Sequence, residues 1–248
     1  MKTKAFTLIE LIAVITIIAI MAGIVVYSIN DWKDDANLKK TIGYANEIKS
    51  KFGQDLLAEW KMEEGSGTIL YDSGRLGAEA TVYAGTNWST DCAEGKSCFN
   101  FSNTMIAANV KLSQFKFKTI CFWLKTAQAN TYILGKRCGT AESSGDFDVF
   151  LTGGLPAIKS FTGENASVQA TAIGTAVNDN NWHFLCLSLN ENAEMYFIVD
   201  GQTRNFQTLT LNQLSGSNNL IYIGINQDTG AYGSFYMDDL MLFEKSIY

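Results

Sequence analysis

The amino-acid sequence predicts an α+β protein in which a long N-terminal α-helix is followed by an antiparallel β-sandwich. An apolar run from Phe6 to Ile29, with Glu10 as its only charged residue, is long enough to cross a membrane as a helix. From Gln54 onward, short alternating runs rich in aromatic and β-branched residues are separated by clusters of Gly, Asn, Asp and Ser. No convincing helix interrupts these runs, and they are typical of a sandwich.

The helix is predicted to continue past the apolar run, from about Phe6 to Phe52. In its second half, apolar residues such as Ala45 and Ile48 recur close to every 3.6 residues, and charged residues fill the other face. We therefore expect this half to pack an apolar stripe onto a globular domain. The predicted segments are 6–53 for the helix, 6–29 for its membrane-spanning part and 54–248 for the globular domain, which we call the head.

The distribution of charged residues limits which kinds of partner the chain is expected to bind. Lys2 and Lys4 precede the apolar run, which predicts a cytoplasmic N-terminus before any processing. The whole chain carries 19 basic and 25 acidic side chains, a formal net charge of −6. Because a nucleic-acid-binding domain needs a basic patch, this balance argues against nucleic acid as a partner.

The N-terminal residues resemble a known processing signal. Lys4-Ala5-Phe6-Thr7-Leu8-Ile9-Glu10, followed by an apolar helix, is similar to the class III signal of type IV prepilins and pseudopilins. The resemblance implies that a prepilin peptidase cleaves between Ala5 and Phe6, which makes residues 1–5 a leader peptide, and that the new Phe6 N-terminus is methylated. It also implies that Glu10 pairs with the terminal amine of a neighbouring subunit, since two opposite charges in an apolar bundle compensate each other. Ala5 stands where the family usually has Gly.

This resemblance predicts a subunit that is first inserted in the inner membrane. It then assembles with its copies or with related pilins into a helical filament at the cell surface. A general secretory signal would be cut after its apolar run at a small-x-small site, and Ile29-Asn30-Asp31-Trp32 offers none. An ordinary membrane anchor would leave the Phe6-to-Glu10 string unexplained.

Five stretches of the head, in order, resemble a laminin-G-like, concanavalin A-like jelly roll. They are Ala58–Thr68 with Tyr71–Gly74, Thr119–Lys125, Asn181–Leu187 with Ile198–Gln202, Tyr222–Asn226 and Phe235–Phe243. Glucanases of this fold carry their catalytic carboxylates as Glu-x-Asp-x-x-Glu or Glu-x-Asp-x-Glu on one strand. No such string occurs here, because Asp146-Phe147-Asp148 lacks the flanking Glu residues. We therefore predict binding rather than catalysis.

Two kinds of ligand follow from this second resemblance. Jelly rolls of this type often hold a structural calcium ion, and by resemblance its ligands here are Glu63, Asp72 and Asp238; the alternative is that these are solvated loop acids and a cap. His183, the single His, is implied to be a packing residue, and neither a metal site nor a catalytic triad has support from it. The candidate aromatic residues for carbohydrate binding are Tyr83, Trp88, Tyr132, Tyr232 and Tyr236.

The five cysteines suit an oxidising compartment. Cys92 and Cys98 lie in one polar loop that contains Gly, which predicts a local disulfide. Cys121 and Cys186 fall within apolar strands, where a buried free Cys is common. Cys138 is left to pair with either of these two or to remain free.

Three functions fit these expectations. The first is a pilus subunit whose head binds a glycan or a surface protein. The second is a purely structural major pilin, in which the head serves as a coat. The third is a pseudopilin of a type II-like secretion machine. The head is large for a main pilin, which favours a minor subunit or an unusual filament.

Overall fold

The structure is a computed structural model that describes residues 7–83, 85, 87–110, 118–136, 146–163, 166–174, 176–208, 220–226 and 229–248. The described residues form one long helix, a 3-10 turn at Gly53–Asp55 and sixteen β-strands. The helix is α1 (Leu8–Phe52). The strands are β1 (Leu56–Trp60), β2 (Ile69–Leu70), β3 (Ala80–Tyr83), β4 (Trp88–Ser89), β5 (Cys98–Ser102), β6 (Met105–Asn109), β7 (Thr119–Lys125), β8 (Thr131–Lys136), β9 (Phe147–Thr152), β10 (Leu155–Gly163), β11 (Ala166–Thr171), β12 (Trp182–Leu189), β13 (Glu194–Val199), β14 (Gln202–Thr208), β15 (Leu220–Ile223) and β16 (Ser234–Phe243).

The strands form two antiparallel sheets. Sheet A has the order β14-β13-β12-β7-β16-β5-β4, with β1 also paired to β16. Sheet B has the order β11-β10-β9-β8-β15-β6-β3-β2. The predicted fold class, an N-terminal helix followed by an antiparallel sandwich, is confirmed.

The core lies between the two sheets and follows the alternation of side chains along each strand. Phe122 and Leu124 of β7 enter it from sheet A, and Val149 and Leu151 of β9 enter it from sheet B. The residue between the last two, Phe150, is only partly buried and faces outward. Each sheet therefore has one face in the core and one outer face.

The chain divides into two compact units, Met1–Lys40 and Thr41–Tyr248. In this division the last turns of α1 belong with the sandwich residues. Thr41, Ala45 and Ile48 are buried at a spacing of three to four residues, which is one face of a helix. The ring of Tyr44 lies 6.2 Å from that of Phe184 on the outer face of sheet A.

The first unit contains a candidate membrane span. Leu8–Val25 is long and apolar enough to cross a membrane, and none of it is buried within the chain. The apolar part of a signal sequence near an N-terminus can have the same length and composition. The large apolar side chains of this segment, such as those of Leu8 and Ile24, are exposed, at 77% and 62% of their surface.

Two disulfides stabilise the sandwich. Cys92 and Cys98 are bonded within one loop. Cys121 and Cys186 are also bonded, because the register of β7 and β12 places them directly opposite each other. This pairing corrects the expectation that each would be free or paired with Cys138, a residue outside the described ones. The sequence alone did not give this register.

Candidate functional site

The first turn of α1 is closed by Thr7 and Glu10. The backbone N–H and the hydroxyl of Thr7 each donate to Oε2 of Glu10 at 2.8 Å, and the backbone N–H of Glu10 donates to Oγ1 of Thr7 at 3.3 Å. This reciprocal pattern is a capping box, which satisfies N–H groups that a helix start leaves unpaired. Glu10 therefore has a local partner besides the predicted intersubunit one. Ala5 and Phe6, the predicted cleavage residues, lie outside the described residues.

The outer face of sheet B carries a depression of ≈ 370 Å³, which we call the first depression. It lies where β8, β9 and β10 meet the loop between β15 and β16. Its lining includes Tyr132, Asp148, Phe150, Lys159 and Tyr232. Aromatic rings, a carboxylate and an ammonium thus share one concave surface, which is typical of sites that bind a small polar ligand.

The floor of the first depression is fixed by a hydrogen bond. The hydroxyl of Tyr132 donates to Oδ1 of Asp148 at 2.7 Å, and both residues are buried. The bond passes over Gly135, where an added Cβ would lie 2.6 Å from Oδ1 of Asp148. A larger residue than Gly at this position would displace the pair.

A hydrogen-bonded turn positions Tyr232 at the rim. Asn226 organises this turn: its carbonyl accepts from the N–H of Gly230 at 2.9 Å, and its Oδ1 accepts from the N–H of Thr229 at 3.1 Å. Its own N–H donates to the carbonyl of Ala231 at 2.8 Å. Tyr232 follows directly and leaves 43% of its surface exposed.

A second depression of ≈ 380 Å³ lies on the same face, over β3, β6 and β15. Its lining includes Glu79, Thr81, Tyr83, Ala107 and Tyr222. Tyr83 is 47% exposed. Each depression therefore presents one exposed tyrosine ring.

The five aromatic candidates for carbohydrate binding are thus divided. Tyr132 and Tyr232 line the first depression and Tyr83 lines the second. Trp88 packs against the core, and its Nε1 donates to a backbone carbonyl at 3.2 Å. Tyr236 lies on sheet A, paired with Lys125 of β7, so these two residues are not part of either depression.

A cluster of acidic residues surrounds Lys49 of α1 on the other side of the sandwich. Lys49 forms an ion pair with Asp239, and its Nζ lies 3.6 Å from Glu94 and 3.8 Å from Glu59. Burial raises the pKa of Asp239 to about 7 despite the opposing charge of Lys49. Burial also raises the pKa of Asp238 to about 8, although its Oδ2 accepts from the N–H of Glu94 at 3.0 Å. Three carboxylates thus face one partly exposed cation, Lys49.

The three predicted calcium ligands are engaged separately. Asp72 accepts hydrogen bonds from three backbone N–H groups, each at 2.7 Å. Glu63 accepts from the N–H of Lys96 at 3.0 Å, and Asp238 holds the neighbouring part of the same loop. Within the described residues, no group of three or more His, Cys, Asp or Glu is arranged to hold a metal ion. Calcium binding stays a prediction, and an unchanged Tm after chelation would contradict it.

His183 has polar partners on both sides of its ring. Nδ1 lies 2.8 Å from Asp200 and Nε2 lies 3.0 Å from Asp179. Burial lowers the pKa of His183, but the hydrogen bonds and charges of the two carboxylates outweigh it and raise the pKa. Asp200 also accepts from the N–H of Phe184 at 2.9 Å, so His183 helps to fasten the β13–β14 turn to β12. The resemblance had implied only a packing residue, whereas His183 also makes these two polar contacts.

Models of known protein families match both the N-terminal segment and the head. Residues 101–247, more than half of the chain, match the concanavalin A-like lectin/glucanases superfamily. Residues 1–26 match the prokaryotic N-terminal methylation motif. A search of proteins with curated functions found no match.

Several binding domains are among the solved structures with a similar fold. One is the binding domain of Paraclostridial Mosquitocidal Protein 1 (TM-score 0.63, 12% identity, covering 79% of this chain and 50% of that one). Another is the binding domain of botulinum neurotoxin serotype D/C VPI 5993 (TM-score 0.61, 11% identity, 79% and 50%). A third is from botulinum neurotoxin type C, whose cell entry depends upon interaction with two ganglioside molecules (TM-score 0.62, 11% identity, 80% and 50%). The chain spans about half the length of these structures, and at such identities the likeness shows the fold alone.

Proposed function

Because the chain belongs to the concanavalin A-like lectin/glucanases superfamily and begins with a prokaryotic N-terminal methylation motif, we propose that it is a type IV pilin-like filament subunit with an adhesive head. The chain is held in the inner membrane by α1, cleaved by a prepilin peptidase between Ala5 and Phe6, and then assembled with its copies or with related pilins. The head is displayed at the cell surface, where it binds a glycan or a surface protein.

The exposed apolar part of α1 carries this proposal. Leu8–Val25 lies within the matched methylation motif, residues 1–26, and buries none of its surface within the chain. A helix that is apolar on all sides needs a membrane or neighbouring helices around it. Membrane insertion before assembly and helix packing in a filament core supply these two environments in turn.

Glu10 is the residue through which we propose that subunits recognise each other. In the single chain its carboxylate is held by Thr7. In a filament the carboxylate would also meet the methylated amine of a neighbouring Phe6, which compensates a charge that is costly in apolar surroundings.

The proposed action of the head is binding. The two families matched are typically non-enzymatic, and the carboxylate string of the glucanases is missing from the sequence. In the first depression, the hydroxyl of Tyr132 donates a hydrogen bond to Oδ1 of Asp148.

The test is mass spectrometry of filaments sheared from cells that express the chain, including its N-terminal peptide. We expect the chain in the filaments, beginning at methylated Phe6. A dominant amount indicates a structural major pilin, and a trace amount indicates a minor adhesive subunit. A chain confined to the membrane fraction would overturn the proposal in favour of a secretion pseudopilin or a plain anchored protein.

A matched pair of variants sharpens this test. Glu10→Ala should abolish or slow incorporation into filaments and leave the head folded. Asp34→Ala removes another exposed acidic side chain from the same helix and should incorporate normally. Normal filaments from Glu10→Ala chains would show that the proposed pairing is wrong.

A further inference from the structure

The two depressions on sheet B lie side by side on one face. We propose that they form a single groove that binds a neutral oligosaccharide, with Tyr232 and Tyr83 each packing against one sugar unit. The inference rests on the proposed function in one respect, that the head is exposed outside the cell.

The exposure of the two rings is the first support. The sandwich buries most of its large aromatic side chains, including Phe122 and Phe147. Tyr232 and Tyr83 instead keep 43% and 47% of their surface exposed, one at each depression. An exposed aromatic ring beside polar groups suits a sugar. The aromatic ring packs on the C–H face of the sugar, while the hydroxyls of the sugar reach the neighbouring donors and acceptors.

The register of sheet B joins the depressions. Asp148, Gly135, Tyr222, Ala107 and Thr81 are successive partners across β9, β8, β15, β6 and β3. Side chains at paired positions share one face, so this row connects the two linings. Four strand spacings amount to about 19 Å, so a ligand that fills both depressions is an oligosaccharide rather than a monosaccharide.

The charges of the lining select a neutral ligand. The first depression contains one acidic and one basic side chain, Asp148 and Lys159, and the second contains Glu79. A polyanion such as a sulfated glycan requires a basic surface, which this mixture does not provide. An extended peptide usually adds to the edge of a sheet through its backbone, whereas this lining comes from side chains at the centre of sheet B.

The test measures binding of the full-length chain to an array of neutral oligosaccharides of one to six units, with heparin as a sulfated comparison. The chain is kept in a detergent without a sugar head group, so that the detergent cannot compete. We expect binding of neutral probes that strengthens with length, and little binding of heparin. Tyr232→Ala and Tyr83→Ala should each raise the Kd of a hexamer by about tenfold, the upper range for a lost aromatic contact.

Tyr71→Ala is the matched control, since Tyr71 is 61% exposed and lines neither depression. It should bind as the wild type does. No binding to any neutral probe, binding to heparin alone, an affinity independent of length, or tyrosine variants that bind as the wild type would each overturn the groove. Filament incorporation of the same variants is scored separately, so a failed groove and a failed filament proposal give different results.

Discussion

Lys49→Met tests how the end of α1 is held on the sandwich. Lys49 is the cation that faces Asp239, Glu94 and Glu59. Its removal leaves Asp239, which is 2% exposed, without an opposite charge. Breaking a buried ion pair costs about 3–5 kcal/mol. Because a quarter of the Lys49 side chain is exposed, we expect a loss near the lower end, about 3 kcal/mol at pH 8.

The loss should depend on pH. Asp239 has a raised pKa of about 7, so at pH 5 it is mostly protonated and little charge is left unpaired when Lys49 is removed. We therefore expect a loss below about 1 kcal/mol at pH 5. In the wild type, carboxyl groups with raised pKa bind protons more tightly in the folded state than in the unfolded state. Because of these groups, the free energy of unfolding falls as the pH rises from about 4 to about 8.

Urea unfolding of the full-length chain in micelles, followed by tryptophan fluorescence at pH 5 and pH 8, measures this difference. Lys51→Met is the control, because Lys51 is exposed in the same turn of α1 and should change the free energy of unfolding by less than about 0.5 kcal/mol. An equal loss for Lys49→Met at both pH values, or an equal effect of Lys51→Met, would refute the reasoning.

Four further variants probe the buried polar groups and the disulfides. Asp238→Asn keeps an oxygen for the N–H of Glu94 but removes a charge that burial disfavours, so Tm should rise at pH 8 and stay constant at pH 5; a fall at pH 8 would count against this account. His183→Gln should lower Tm more at pH 6 than at pH 9, because a group with a raised pKa stabilises the fold below its unfolded pKa and loses that effect as the pH rises through the folded one. Replacing Cys121 and Cys186 together by Ala opens a loop of 65 residues and should cost roughly 4 kcal/mol from loop entropy, against roughly 2 kcal/mol for Cys92 and Cys98 with a separation of 6. Urea midpoints under oxidising conditions measure both losses, and the reverse order would contradict the estimate.

Local patterns predicted those elements whose own residues carry the signal. Alternation identified β7, β12 and β16, and the Asp200-Gly201 turn has the positive φ values of a tight hairpin, 52° and 73°. The strand β6 was missed because its sequence, Met-Ile-Ala-Ala-Asn, has weak β propensity. It is a strand because β3 and β15 pair with it on both sides. The capping box of Thr7 and Glu10 is visible as a Thr-x-x-Glu spacing, although the pilin resemblance implies only an intersubunit partner for Glu10.

The candidate site was predictable only in part, for a related reason. Composition singled out Tyr132 and Tyr232 as aromatic candidates, and both line the first depression. It gave no role to Asp148, which meets Tyr132 only through the pairing of β8 with β9, or to Gly135 of β8, which lies directly opposite Asp148. Residues that are distant in sequence become neighbours through strand register, and register depends on the packing of the whole sandwich.

We expect assembly and binding to depend on different residues. Tyr44 and Lys49 of α1 contact sheet A, whereas Tyr83 and Tyr232 lie at the depressions of sheet B. A chain with both Tyr83→Ala and Tyr232→Ala should therefore enter filaments at the wild-type level and lose oligosaccharide binding. Glu10→Ala should show the converse, a folded head that binds the hexamer but stays out of filaments. The two variants are compared by quantifying the chain in sheared filaments and by measuring hexamer affinity on the same preparations. If either variant lost both properties together, the division of roles between Glu10 and the groove would be wrong, because independent sites should not affect each other's free energies.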